Sequence, residues 1–225
     1  MKSKNMLKVS VTAALLGCAA AAQAGFVPLS NVGTGLDTIG IVSANNFKSN
    51  LAGVGVTQYT LGGSLTADSA GSVAFYYYGK EAGYQNIFTA TGTNGSVSKN
   101  SGFSPTWQNN FGAPELIGNV DVLSGILDFG FCANSGVGVS AGCVTNQQND
   151  WFNLGSMQSI AYSVAGNVAW IFWDDSGAGP DDNHDDMLIK AVFTPRSVPE
   201  PATLGLFGLG LLGVWAGARR RRRKA

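Results

Sequence analysis

The amino-acid sequence predicts an all-β domain, an antiparallel β-sandwich or jelly roll, with a targeting segment at each end of the chain. Only 12% of the residues are charged and 31 are glycines, so the residue types that favour exposed helix surfaces are scarce. Short apolar and β-branched runs recur about every 8–12 residues, with Gly- and Asn-rich turns between them. Outside the targeting runs, no segment shows a sustained 3.6-residue apolar period, so no long helix is predicted.

The predicted strands follow one another along the chain, each bounded by turn residues. They cover residues 38–43, 54–61, 72–78, 85–91, 116–122, 126–131, 158–164, 168–173 and 187–194. We expect 85–91 to pair with 72–78, and 158–164 with 168–173 around the turn at 165–167.

Two further patterns refine this reading of the strands. The continuous apolar run 169–173 is typical of a strand buried on both faces, and Asn94-Gly95 marks a hairpin turn. In the Gly/Asn/Pro-rich segment 101–114, the rings of Phe103, Trp107 and Phe111 are expected to form a satellite core.

The N-terminus has the three parts of a secretory signal peptide. Lys2, Lys4 and Lys8 precede an uncharged apolar run over 9–22, and Ala22-Gln23-Ala24 is a small-x-small cleavage site. The sequence therefore predicts a signal peptide over 1–24. Signal peptidase would recognise Ala22 and Ala24 and cut before Gly25. An alternative uses Leu15-Leu16-Gly17-Cys18 as a lipobox, which would lipidate Cys18.

The C-terminus carries a second three-part pattern. A Pro199-Glu200-Pro201 triplet precedes residues 202–218, which contain no charge and are rich in Leu and Gly. Six cations follow, among them Arg219, Arg220 and Arg221. A helix of ~17–25 apolar residues can cross a bilayer, and flanking cations stay in the cytoplasm. We therefore expect a transmembrane helix over this run.

In this order and at this end of the chain, the pattern resembles the PEP-CTERM sorting signal of Gram-negative bacteria that make exopolysaccharide. The resemblance covers residues 198–225 and implies recognition by an exosortase, a membrane-embedded cysteine protease that cuts near the triplet. It implies export through the inner membrane, transient anchoring there and a final place at the cell surface or outside the cell. An ordinary C-terminal anchor is the alternative. The predicted organisation is thus a signal peptide (1–24), a secreted β-domain (25–197) and a sorting signal (198–225).

Once the targeting segments are set aside, the rest of the chain is acidic. Residues 25–198 hold 13 of the 14 acidic residues and five of the 14 basic ones, which gives a net charge of −8. Such a domain does not bind nucleic acid through its charge, but it attracts divalent cations. Two cysteines remain after signal removal, and Cys132 and Cys143 are expected to form a disulfide. Two buried free thiols are the alternative.

The clearest candidate site is an acidic loop, which holds six aspartates within residues 174–186. Asp181, Asn183 and Asp185 alternate as the ligands of calcium loops do, and Ca²⁺ prefers hard oxygen ligands. We expect a structural Ca²⁺ bound by Asp174, Asp181, Asn183, Asp185 and Asp186. The loop departs from an EF-hand, because Asp186 stands where Gly is needed and Val192 where Glu is needed.

A resemblance bears on this loop as well. Residues 169–193 are similar to the Asp-rich turns of secreted bacterial β-domains, and this implies a structural turn with or without calcium. A solvated acidic hairpin, whose aspartates cap their own turns, is the alternative.

The sequence gives little support for an enzyme, because His184 is its single histidine and any serine or cysteine triad would have to use it. We therefore expect a non-enzymatic protein with a structural or adhesive role in exopolysaccharide or biofilm. One alternative is a carbohydrate-binding module that stacks sugars on Trp107, Trp151 or Tyr76 to Tyr78. The other is a small polysaccharide hydrolase, for which Glu81, Glu115, Asp121 and Asp128 are candidate carboxylates that sequence spacing cannot bring together.

Overall fold

A computed structural model of the protein describes residues 29–33, 36–134, 140–146, 159–175, 183–196 and 210. The chain divides into two compact units, Met1–Pro195 and Arg196–Ala225. The predicted signal peptide, the triplet and the predicted span lie outside the described residues, apart from Gly210 within that span. Within the described part, no helix is long and apolar enough to cross a membrane.

In its described residues, the first unit consists of strands and one short helix. The helix, α1, spans Lys48–Gly53. The strands are β1 (Leu29–Val32), β2 (Asp37–Gly40), β3 (Gln58–Leu61), β4 (Ser64–Ala67), β5 (Gly71–Glu81), β6 (Gln85–Gly92), β7 (Gly95–Asn100), β8 (Trp107–Asn109), β9 (Glu115–Val122), β10 (Gly125–Ile126), β11 (Asp128–Asn134), β12 (Ser140–Thr145), β13 (Ile160–Ala165), β14 (Val168–Trp173) and β15 (Met187–Pro195).

These strands form three antiparallel sheets, so the predicted all-β class is confirmed. The largest sheet has the order β2-β3-β13-β14-β15-β5-β8, and β9 also pairs with β5. A four-stranded sheet has the order β12-β11-β6-β7, and a three-stranded sheet the order β1-β4-β10. The last strand, β15, lies inside the large sheet and is hydrogen-bonded to β14 on one side and to β5 on the other.

The main core lies between the inner face of the large sheet and the two smaller sheets, as in a sandwich. Alternate residues of β5 and β14 point into it, for example Phe75 and Ile171. The four-stranded sheet supplies Phe88, Phe129 and Phe131, which are all buried. Such alternation follows from the two-residue period of side chains along a β-strand.

A second core lies on the other face of the large sheet. Trp170, Phe172 and Leu188 pack there against Phe47 and Leu51, which come from α1 and the residue before it. The apolar run of β14 is therefore buried on both faces, as predicted. The prediction of a strand from residue 54 was wrong in its first half, because α1 ends at Gly53 and β3 begins at Gln58. A helix with one buried residue, Leu51, is too short to produce a 3.6-residue pattern.

The hairpin of β13 and β14 and the turn between β6 and β7 match the sequence prediction. The predicted pairing of β6 with β5 was wrong, since β6 pairs with β11 and β7 in the other sheet. Both edges of β5 are already occupied, by β15 on one side and by β9 and β8 on the other. Gly79 allows β8 to approach, because its φ is +145° and a Cβ there would collide with the carbonyl oxygen of Gln108.

Candidate metal centre

The acidic residues of the predicted calcium loop converge at one end of the large sheet. Asp174 and Asp175 directly follow β14, and residues 183–186 directly precede β15. Asp174 and Asp185 have no exposed surface, and even Asp186 is only 9% exposed. The alternative of a solvated acidic hairpin is therefore wrong for the described members of the loop. Asp181 lies outside the described residues.

Backbone hydrogen bonds hold these two segments together. The N–H of Asp175 donates to Oδ2 of Asp186 at 2.7 Å, and the N–H of Asp174 donates to the carbonyl of Ser159 at 2.9 Å. The backbone pairing of β14 with β15 ends at Trp173 and Met187. Beyond this point, the carboxylate of Asp186 joins the two segments.

A third carboxylate comes from a distant part of the chain. Glu81 is the last residue of β5, and its N–H donates to the carbonyl of Asp185 at 2.9 Å. One oxygen each of Glu81, Asp185 and Asp186 lie within 4.8 Å of one another. From the sequence, Glu81 is only a candidate hydrolase carboxylate, because no local pattern links residue 81 to residue 185.

The segment before α1 covers this cluster. The side-chain Nδ2 of Asn45 donates to the carbonyl of Asn183 at 2.8 Å, and the N–H of Asn46 donates to Oδ2 of Asp185 at 2.6 Å. Between them, His184 has a φ of +56°, a left-handed conformation, and its ring packs at 5.5 Å from that of Tyr59. His184 is only 1% exposed, so it belongs to the packed interior and is not a solvated loop residue.

The electrostatics of the site are unfavourable without a counter-charge. Burial raises the pKa of Asp175 to about 6, with the neighbouring Asp174 adding to the shift. Burial and the charge of Asp175 raise the pKa of Asp186 to about 10. Lys80 is fully buried beside them, and burial lowers its pKa although Asp175 and Asp186 oppose the shift. Its Nζ donates to the carbonyl of Gly102. Carboxylates gathered at low dielectric need protons or a cation to be neutralised.

A buried amide adds a separate observation. The side chain of Asn86 is fully buried within the cluster, and its Nδ2 donates to Oδ2 of Asp175 at 2.8 Å and to the carbonyl of Asp186 at 3.0 Å. Its Oδ1 is buried and has no hydrogen-bond partner in the described part of the chain. Such an oxygen costs about 1–3 kcal/mol if nothing satisfies it. A bound cation or water is the kind of partner that would do so.

The donor set fits a hard divalent cation. Glu81, Asp185 and Asp186 offer carboxylate oxygens, and the side chain of Asn86 is hydrogen-bonded to the backbone carbonyl of Asp186. Ca²⁺ takes ~6–8 oxygen ligands, so three carboxylates would leave positions for water or a ligand. Of the five predicted ligands, Asp185 and Asp186 belong to this group of three, while Asp174 and Asn183 lie beside it in the same loops.

Exposed aromatic rings lie at the same end of β5. Trp107 is 41% exposed and is the strand partner of Glu81 across the β5–β8 pair. Its ring lies 4.9 Å from that of the buried Phe47. The prediction that Phe103 and Trp107 form a satellite core was wrong, since Phe103 is 42% exposed, although Phe111 does pack on the second core. These rings occupy β8 and the loop before it, and β8 is an edge strand of the large sheet among the described strands.

The other aromatic residues predicted to bind sugars do not form an exposed surface in the described residues. Tyr77 is fully buried in the main core, while Tyr76 and Tyr78 lie half-buried on the opposite face. Three consecutive strand residues alternate between faces, so they cannot form one stacking surface. Trp151 lies outside the described residues.

The predicted disulfide is confirmed. Cys132 and Cys143 are joined, and they are directly opposite partners in the β11–β12 pair. Cys132 alternates with the buried Phe131 and Ala133, so the bond lies on the outer face of the four-stranded sheet. It therefore fastens an edge strand and does not contribute to the acidic cluster.

Comparison with known proteins identifies the C-terminal segment. The family model of the PEP-CTERM protein-sorting motif matches residues 197–223. The motif implies sorting by an exosortase, export and a transient membrane anchor in a Gram-negative bacterium. No curated protein and no solved structure matches the chain. The motif covers a small part of the chain and leaves the role of the β-domain to be inferred from its own residues.

Proposed function

We propose that the β-domain of this exosortase-sorted, exported protein is a non-enzymatic structural and adhesive component of exopolysaccharide or biofilm, with one Ca²⁺ held in the acidic cluster. The sorting motif supports this role, since it directs the protein to the cell surface or out of the cell. Its negative charge supports it as well, because an acidic domain in a calcium-containing exterior gains from binding the ion.

One observation carries the proposal: the acidic cluster is buried and joins segments that are far apart in the chain. Asn45 and Asn46, Glu81, Asn86, the end of β14 and the start of β15 all meet there. An ion bound among them would link the second core, the large sheet and the four-stranded sheet. A cation in this position stabilises the fold, as structural calcium does in extracellular modules.

The same burial argues against hydrolysis at this cluster. A glycosidase places two carboxyl groups about 5–10 Å apart on either side of the bond it cuts. Asp185 has no exposed surface and Asp186 very little, so a polysaccharide chain cannot enter between them and Glu81. Glu115, another candidate carboxylate, forms a surface salt bridge in which its Oε2 lies 2.6 Å from Nζ of Lys99.

A carbohydrate-binding module is the second candidate, and the exposed ring of Trp107 favours it. The two candidates are related, because an adhesive matrix protein must contact polysaccharide at some surface. They differ in whether this contact is the main role of the domain or one property of a scaffold.

The test is retention of the exported protein on exopolysaccharide purified from the producing bacterium, in millimolar CaCl₂ and in EGTA. We expect retention in calcium, and no release of reducing sugar over a long incubation. A protein that passes through the column in both buffers would contradict the adhesive role, and release of reducing sugar would contradict the non-enzymatic one.

A further inference from the structure

We propose that the solvent side of the acidic cluster, at Glu81 and Trp107, is a glycan-binding site in which two neighbouring hydroxyls of a hexopyranose complete the coordination of Ca²⁺ and the apolar face of the sugar packs on Trp107. This inference rests on the proposed function, because it assigns the matrix contact to particular residues.

Strand pairing places the two side chains together. Glu81 and Trp107 are direct partners at the end of the antiparallel β5–β8 pair. Directly opposite residues in such a pair project from the same face, with Cβ atoms about 4.5–5.5 Å apart. The indole is therefore a neighbour of the carboxylate that would hold the ion.

The depth of the three carboxylates indicates which side of the ion would be open. Asp185 and Asp186 are buried, whereas Glu81 is partly exposed at the end of its strand. The aspartates would bind the ion from the interior, and its remaining positions would point out past Glu81. Three carboxylates do not fill the ~6–8 positions of Ca²⁺, so oxygens from outside the protein can complete them.

Trp107 is held in place and still reaches solvent. Its ring contacts that of Phe47 at 4.9 Å, yet 41% of the residue is exposed. A large ring fixed on one side by packing loses little conformational freedom when a ligand covers its other surface. The axial C–H groups of a hexopyranose form an apolar patch that fits such a ring, while its hydroxyls stay at the rim.

The loop that precedes Trp107 is also anchored at this site. The carbonyl of Thr106 accepts a 2.9 Å hydrogen bond from the N–H of Ala82, and the carbonyl of Gly102 accepts one from the buried Lys80. The loop carries Phe103, whose ring is 42% exposed. The arrangement combines a few fixed polar groups with apolar rings, which is the usual make-up of a small-molecule site.

The test measures binding of the exported protein, purified from the cell envelope, to immobilised exopolysaccharide of the producing bacterium. The variants are Trp107→Ala, Trp107→Phe and Glu81→Gln, each in millimolar CaCl₂ and in EGTA. Leu116→Ala and Glu115→Gln are matched controls, since both residues are exposed and belong to β9. Free mannose, galactose and glucose serve as competitors, and calorimetry measures binding of calcium alone.

We expect Trp107→Ala to weaken binding about tenfold, a loss equivalent to about 1.4 kcal/mol, with calcium affinity unchanged. Trp107→Phe should recover part of the affinity, and Glu81→Gln should weaken both calcium and glycan binding. A wild-type protein that binds polysaccharide equally in calcium and EGTA, or binds as well after Trp107→Ala as after Leu116→Ala, overturns the site and leaves the proposed function standing. A wild-type protein that binds no polysaccharide in calcium overturns both.

Discussion

The hydroxyl of Tyr162 donates a buried 2.8 Å hydrogen bond to Oδ1 of Asn146. The same oxygen accepts the N–H of Leu65 at 2.7 Å, and Nδ2 of Asn146 donates to the carbonyls of Leu65 and Leu127 at 2.8 and 2.7 Å. One buried amide therefore fastens the strand β4 of the three-stranded sheet to β13 of the large sheet. Four hydrogen bonds to one side chain at 1% exposure make it a structural residue.

Replacing this amide is predicted to destabilise the domain. Asn146→Ala would remove the partners of the buried Leu65 N–H and Tyr162 hydroxyl together, so we expect a loss of about 3 kcal/mol or more in the free energy of unfolding. Urea unfolding of the exported protein measures it. Asn119→Ala is the control, since Asn119 is exposed and should change stability by less than about 0.5 kcal/mol. Equal midpoints for the two variants would contradict the structural role.

Calcium is predicted to stabilise the domain through the acidic cluster. Extracellular modules bind the ion with Kd ~10⁻⁴–10⁻³ M, so a few millimolar CaCl₂ should add about 1 kcal/mol and raise Tm by a few degrees. Asp185→Asn should remove most of this rise, whereas Asp68→Asn, at an exposed position, should keep it. A Tm that is the same in EGTA and in calcium for the parent protein would show that protons alone neutralise the cluster.

The calcium-free protein is predicted to lose stability as the pH rises. Burial raises the pKa of Asp175 from its ordinary value of 3.8 to about 6, so the folded state holds a proton that the unfolded state has released. This contribution is fully present below pH 3.8 and is lost as the pH rises through about 6, and the raised pKa of Asp186 extends the loss to higher pH. Thermal melting in EGTA across this range checks the slope.

Calcium should reverse part of that trend, because the ion binds deprotonated carboxylates and competes with protons. The rise in Tm that calcium causes should therefore grow with pH. Asp175→Asn should flatten the slope in EGTA, while Asp128→Asn, on the exposed face of β11, should keep it. A calcium effect that shrinks between pH 5 and 8 would contradict binding at these aspartates.

Sorting is predicted to remove both ends of the chain. The exported form should begin at Gly25 and end near Pro199-Glu200-Pro201, without the run Arg219–Arg223, because the motif at 197–223 is read by an exosortase. Intact mass of the cell-surface or released protein measures both ends. Glu200→Ala should accumulate a membrane-bound precursor. Mature extracellular protein that still carries Arg219 to Arg223 would mean that the tail is an uncut anchor, and lipid on Cys18 would show in the same mass.

The parts of the fold that sequence predicts are those set by neighbouring residues. The β13–β14 hairpin follows from its turn at Gly166, and the double burial of β14 follows from its unbroken apolar run. The partners of β6 did not follow, because the short turn after β5 carries the chain into a different sheet. Hydrophobic alternation records which face is buried and contains no information about which strand lies alongside.

The acidic cluster also has a part that the sequence predicts and a part that depends on distant residues. The clustering of Asp185 and Asp186 with Asp174 is local and was predicted from their spacing. Glu81 lies beside these aspartates because of strand pairing across the large sheet, and Asn86 contacts them because of packing between sheets. Neither position leaves a signal in the sequence. The exposure of Trp107 depends on β8 being an edge strand, which composition alone does not reveal.

The position of β15 has a mechanical consequence. The tether to the sorting segment leaves the domain at the end of this strand, at Pro195. β15 pairs with β14 from Met187 to Val192 and with β5 from Leu188 to Pro195. A pull on this end along the strand axis would load both rows of hydrogen bonds in shear, instead of peeling an edge strand away one bond at a time. The acidic cluster lies at the opposite end of the same strand, beside Met187, so an ion bound there would clamp the strand at the end remote from the load.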